Sequence, residues 1–267
     1  MNIIIALVVS AISGLYTSLW GAFKDSPYEG LKPKTFPRSI YFNVAVFIVL
    51  YASSSVLPVF NENFSSLKLF QIFFLTMGIE RFLAEIYKGF FRIEDQSKYF
   101  IPSRVTLLGK PVESNLLRYI LGSVFVIFLL LSIFLPFPMT SYWHFLAVAY
   151  LAGLFVSFGG AYKDAPFEGF DWIKFQRSSL VLAVFSPLFY FINSPETPVS
   201  LGLLIYMNGG LERFSVEYFK TYIQRNMSGK FKSDTKRIQK YLDNREKWHY
   251  MALVIIISVG VLYYFEL

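Results

Sequence analysis

The chain reads as an all-α polytopic membrane protein with eight transmembrane helices, arranged as two tandem four-helix parallel repeats. Three observations predict this. Of its 267 residues, 55% are hydrophobic and only 16% charged, outside the range of an ordinary soluble domain. Apolar stretches close to the roughly 20 residues needed to cross a bilayer as a helix recur along it. A short charged motif is also written twice. GAFKDSPYEG at 21–30 and GAYKDAPFEG at 160–169 keep Gly, Ala, Lys, Asp, Pro, Glu and Gly in the same places.

The spans fall at about 2–22, 40–60, 67–88, 117–137, 142–162, 179–193, 199–220 and 249–266. In lipid the backbone must satisfy its own hydrogen bonds, so stretches of this length are helices. The opening MNIIIALVVS has no basic lead and no A-x-A-like site follows, so it is expected to be a span rather than a cleaved leader. The sixth span is short and carries Pro187, which predicts a kink, a tilt or partial re-entry. His144 and His249 open the fifth and eighth spans inside YWH and WHY clusters, which mark the headgroup interface better than a metal site. Cysteine is absent, which excludes disulfides and thiolate ligation.

Charge sets the orientation. Of the 25 Lys and Arg, Lys68 alone falls on the side opposite the two charged motifs. By the positive-inside rule the motifs face the cytoplasm and both termini face out. The same asymmetry accounts for the +7 net charge, with anionic lipid headgroups as partners and no nucleic acid.

The duplication divides the chain at 1–138 and 139–267, two repeats of one integrated membrane domain. Gly14 and Ser18 correspond to Gly153 and Ser157 at an offset of 139, as do Phe36, Arg38 and Ser39 to Phe175, Arg177 and Ser178. A second block recurs at an offset of 132: GIERFLAEIYK (78–88) and GLERFSVEYFK (210–220). An even number of spans per repeat keeps both in one orientation. The Gly-x-x-x-Ser pairs predict faces on which the first and fifth helices approach a neighbour closely.

All four motif copies are expected at the cytoplasmic face. In the first, Asp25 is the expected last helical residue, because Ser26 precedes Pro27 and is pushed out of the α region. Arg81, Glu85 and Lys88 share one helix face at i, i+4, i+7, as do Arg213, Glu217 and Lys220, with Glu80 and Glu212 a quarter-turn away and deeper. Such charges also snorkel and pair structurally at helix ends, Arg81 with Glu85 for example. Their repetition in both halves points further. Paired carboxylates from two loops can hold Mg²⁺, which binds through one or two carboxylates plus substrate phosphates, and Lys and Arg clamp phosphate oxygens. The expected substrate is a membrane lipid or polyprenyl phosphate or diphosphate. The candidate catalytic groups are Glu80, Arg81, Glu85, Glu212, Arg213 and Glu217. Lys88 and Lys220 are candidate phosphate contacts.

DSPYE and DAPFE, inside K-D-x-P-x-E-G, resemble the acidic loop motifs of the UbiA-type intramembrane prenyltransferase superfamily. The resemblance implies two four-helix repeats, Mg²⁺ and transfer of a prenyl or related group from a lipid diphosphate. It makes Asp25, Glu29, Asp164 and Glu168 the metal ligands, with Lys24, Arg38, Lys163 and Arg177 on the diphosphate. It covers two short loops and the repeat plan. The family's first motif opens with Asn-Asp and has Asp where this chain has Glu29, and its loop follows the second helix of each unit. Two other classes compete: a transporter or channel with a cytoplasmic-face charged site, and a non-catalytic lipid-binding scaffold. Two cytoplasmic segments, 89–116 and 221–248, complete the chain. In the second, Ser233 is expected to cap a basic helix bearing Ile238 and Tyr241 that lies on the headgroup surface.

Overall fold

The computed structural model describes residues 2–97, 99–193, 198–225, 242 and 245–267. Ser233, Ile238 and Tyr241, with the helix expected around them, lie outside the described residues, as does the side chain of Glu29.

Helices dominate. In chain order they are α1 (Ile3–Glu29), α2 (Arg38–Val56), α3 (Pro58–Ser65), α4 (Leu69–Ile86), α5 (Asn115–Ile133), α6 (Tyr142–Glu168), α7 (Trp172–Phe185), α8 (Pro187–Phe191), α9 (Leu201–Glu212) and α10 (Glu246–Glu266). α4 runs on into a wide π-helical turn, Tyr87–Phe91, and α9 into two, Arg213–Glu217 and Phe219–Ile223. Two short antiparallel ladders accompany them: β1 (Thr106–Leu107) with β2 (Lys110–Pro111), and β3 (Pro138–Met139) with β4 (Val199–Ser200).

Five of these helices, α1, α2, α5, α6 and α10, are long and apolar enough to cross a membrane. α4 carries Glu80, Arg81 and Glu85 in its last two turns, and α7 and α9 are 14 and 12 residues long. The surface matches a lipid solvent. Ile48, Val49, Ile127, Leu131, Leu151, Phe158, Val254 and Ile257 are all exposed, a density of bare apolar side chains that water does not tolerate on a monomer. This is a helical membrane protein.

Proline places the breaks. Pro58 and Pro187 each stand at the first position of a new short helix, where the missing N–H has no partner to lose. Helix α2 therefore gives way to α3, and α7 to α8. Pro27 and Pro166 behave differently. α1 passes through Pro27 to Glu29, and α6 through Pro166 to Glu168. The expectation that the helix stops at Asp25 is corrected here. A proline removes one rung of the ladder, to the residue four before it, and near a helix end the remaining rungs carry the turn through. Gly30 (φ 75°) and Gly169 (φ 82°) make the actual stops, their N–H groups donating to Ser26 and Ala165 carbonyls at 2.8 and 2.9 Å. The two K-D-x-P-x-E-G motifs are thus last helical turns, not loops.

The core is built on glycine. At the α4–α9 crossing, a Cβ added to Gly78 would stand 2.8 Å from the Tyr206 carbonyl carbon and 2.9 Å from Gly210 N. One added to Gly210 would stand 2.8 Å from the Phe74 carbonyl carbon. Backbone meets backbone there, so α4 and α9 form the axis of the molecule. Phe82 packs edge-on to Tyr206 (5.4 Å between centroids) as Phe214 does to Phe74 (5.3 Å). The expected close faces are also present. A Cβ on Gly14 would meet Ile40 Cα of α2 at 2.5 Å, and one on Gly153 would meet Ser179 Cα of α7 at the same distance. α1 packs on α2, α4 and α10, and α6 on α7 and α9.

Candidate functional site

The ERF motifs lie where α4 and α9 leave the crossing. Glu80 is 3% and Glu212 1% exposed, buried because each sits only two residues beyond the glycine that draws the helices together. A lone carboxylate at such a position would be strongly penalised. Each is answered from the other half. Arg213 donates to Glu80, and Arg81 donates to Glu212. The second oxygen of each carboxylate takes a hydroxyl: Ser39 donates to Glu80 Oε1 at 3.0 Å, and Ser178 to Glu212 Oε1 at 2.8 Å. Arg81 donates in addition to the Gly209 carbonyl at 3.2 Å. The result is a reciprocal knot of two carboxylates, two guanidiniums and two hydroxyls, drawn from α2, α4, α7, α9 and the first turn beyond α9.

The remaining ERF charges form an outer ring. Glu217 receives Lys220 Nζ at 2.9 Å and Lys24 Nζ of α1 at 3.8 Å. Glu85 pairs with Lys88 at 3.2 Å. Trp20 of α1 covers part of this ring, with Lys24 4.7 Å and Arg213 5.6 Å from its ring.

The predicted residues divide accordingly. Glu80, Arg81, Glu212 and Arg213 come together, and the guanidiniums reach across halves rather than only along their own helix. Lys24, Glu217 and Lys220 also meet. Arg38 is exposed at the start of α2, while Arg177 is half-buried with its Nε lacking a hydrogen-bond partner. Asp25, Lys163 and Asp164 are half-buried on the last turns of α1 and α6. Glu168 pairs with Lys174 at 2.8 Å in an exposed position.

Among the described residues α1 and α6 share no extended interface; α1 packs on α4, and α6 on α9. Among the described residues, no group of three or more His, Asp or Glu is arranged to hold a metal ion. Asp164 Oδ1 is buried with no hydrogen-bond partner, an acceptor open to a cation or donor. His249 does sit at the start of α10, accepting or donating to Tyr218 at 3.0 Å within an aromatic cluster.

Sequence reasoning passed over Ser39, Ser178 and Trp20 as site residues. The two serines carried a usable signal, since they recur at the offset of the charged motif. Trp20 carried none, because position 159 is Gly.

Fold and site together define a helical membrane protein whose polar core is a pair of cross-linked Glu–Arg bridges ringed by lysine. No family model, curated protein or solved structure matches the chain.

Proposed function

We propose that this chain binds a phosphorylated or diphosphate lipid at the charged end of the bundle, and that the bound lipid donates a prenyl or related group with Mg²⁺ required. The supporting observation is the outer ring. Lys24 and Lys220 share the single carboxylate of Glu217 and Lys88 pairs with Glu85, so outside the neutral knot these groups carry one more positive than negative charge. A lipid phosphate answers that charge, and its chain remains in the bilayer.

In this reading the eight spans form two parallel four-helix repeats with the charged end cytoplasmic. The reciprocal bridges, the matched glycine contacts and the π turns at Tyr87–Phe91 and Phe219–Ile223, 132 residues apart, support the duplication. The roles shift from those expected from sequence. A carboxylate bridged to a guanidinium and a hydroxyl makes a poor general acid or base, so Glu80, Arg81, Glu212 and Arg213 act as positioning residues. Lys24, Lys88, Lys163 and Lys220, with Arg38 and Arg177, are the phosphate contacts. Asp25 and Asp164, with Glu29 and Glu168, are the acids assigned to Mg²⁺; Asp164 Oδ1 is a buried acceptor without a hydrogen-bond partner.

The test is thermal stability of the detergent-purified chain with a polyprenyl diphosphate, the monophosphate or the neutral alcohol, each with Mg²⁺ or EDTA. A phosphate-dependent rise that Lys24→Ala/Lys220→Ala reduces supports the binding reading. A further rise needing Mg²⁺ and lost in Asp25→Asn/Asp164→Asn supports the metal. A chain equally indifferent to all three lipids refutes the proposal.

A further inference from the structure

The two halves differ at one face. On α1, Tyr16, Leu19 and Phe23 lie on a common stripe and are 1%, 0% and 1% exposed. The positions 139 residues on are Phe155, Phe158 and Tyr162 of α6, and they are 55%, 62% and 41% exposed. The cause is visible in the packing. α10 lies along α1, with His249 6.3 Å from Phe23, and Tyr222 packs tilted against the same ring with centroids 4.6 Å apart. α5, which occupies the matching place in the chain, does not lie along α6. It is held instead against the π turn after α4, where Gly122 admits Phe90 and Phe91, and against α4 and α9.

The lid differs as well. Trp20 stands over Arg213 and Lys24, but Gly159 replaces it on α6, and a Cβ there would meet nothing within 4 Å. The guanidinium it would have covered, Arg81, is 15% exposed against 6% for Arg213. One half-site is thus closed by the protein's own aromatic side chains and last helix, and the other is bare.

We infer that the bare face of α6, along Leu151, Phe155, Phe158 and Gly159, seats the hydrocarbon chain of a phosphate-bearing lipid. Its head lies at the end where Lys163 and Lys110 stand. This rests on the lipid-phosphate reading above and adds to it which half takes the lipid. Charge complementarity supports the assignment. The β1–β2 hairpin turns back onto this end of α6, the Leu108 N–H donating to Tyr162 Oη at 3.3 Å and Gly109 reaching Pro166, and it carries Lys110 exposed beside the Lys163 turn. The first half provides the template, because a hydrocarbon-faced helix fills the corresponding space there. A lipid chain held at this face by its phosphate packs on α6 as α10 packs on α1.

The experiment uses the full chain in nanodiscs with a diazirine-tagged polyprenyl phosphate, the label being mapped by peptide mass spectrometry. Tagged polyprenol is the neutral control and unlabelled phosphatidic acid the competitor. The decisive variant, Gly159→Trp, copies the lid of the first half into the second; Gly260→Trp, at an equally open position on α10, is its control. The expected result is phosphate-dependent label on 151–162, competed by phosphatidic acid. It should be cut severalfold by Gly159→Trp, whose indole fills the open space at that position, and unchanged in Gly260→Trp. Should Gly159→Trp fail to fold, Phe155→Ser/Phe158→Ser, which alters side chains already exposed, is expected to weaken the same label. Phosphate-dependent label that maps to α1 and α10 overturns the α6 seat and leaves the lipid-phosphate reading standing. Label indifferent to phosphate overturns both. Disulfide dimers of a Phe158→Cys variant in the cysteine-free chain would assign the face to a second copy and overturn the seat.

Discussion

Replacing Glu80 by Gln removes one charge from the knot and leaves Arg213, 5% exposed, with no anion to answer it. Breaking a buried pair from one side costs about 3–5 kcal/mol, because the surviving charge stays desolvated. The Ser39 hydroxyl also loses a charged acceptor, worth about 1 kcal/mol more. For a chain of this size a kilocalorie moves the midpoint by roughly 2–4 °C, so the single variant is expected to melt on the order of 10 °C below the parent. Arg213→Gln should behave alike, exposing Glu80 to the same penalty. The double variant Glu80→Gln/Arg213→Gln buries two neutral amides that can bond each other, and should recover much of the loss. The measurement is a double-mutant cycle on detergent-purified protein, by thermal or chemical unfolding, with a coupling of about 2 kcal/mol expected for groups in direct contact. Additive losses, or singles within about 2 °C of the parent, would refute the claim that these bridges tie α4 to α9. The same cycle on Arg81 and Glu212 should give a smaller coupling, since Arg81 is the more exposed guanidinium and keeps the Gly209 carbonyl.

Gly78→Ala and Gly210→Ala each drive a methyl into facing backbone that cannot rotate away; each is expected to cost several kcal/mol, beyond the roughly 1–3 kcal/mol of ordinary overpacking, while Gly260→Ala, with open space around it, changes thermal stability little. Glu266, at the end of α10, accepts the N–H groups of Leu69 and Phe70 at 2.8 Å each and so caps α4; Glu266→Gln is expected to lose about 1–2 kcal/mol, read by hydrogen exchange of the first turn of α4. Pro27→Ala restores one ladder rung in a helix that already passes through the position, so unfolding should show a neutral or slightly stabilising effect. A Gly30→Ala change, by contrast, must force a side chain into φ 75°, ψ 154°, backbone space used almost only by glycine, and is expected to cost about 1–3 kcal/mol.

Composition alone determined the solvent. A chain with 55% hydrophobic residues in repeated span-length runs has to be helical in lipid, and five helices of that kind are present. Comparison of the chain with itself marked the Glu-Arg-Phe pair and the paired glycines of the buried knot, which recur at fixed offsets, whereas Ser39 and Ser178 recur too but were not read as site residues. Partnership was a different matter. Periodicity relates residues on one helix, so it offered Glu85 to Arg81 at i, i+4, whereas the guanidinium bonds Glu212 of another helix. Helix ends were misjudged for a related reason: the local rule against α conformation before proline was outweighed by the rungs on either side of it. The covered α1 face and the bare α6 face were also beyond the sequence, since both stripes are equally apolar as written. Only the docking of α10 on α1, and of α5 on the π turn instead of α6, made them different.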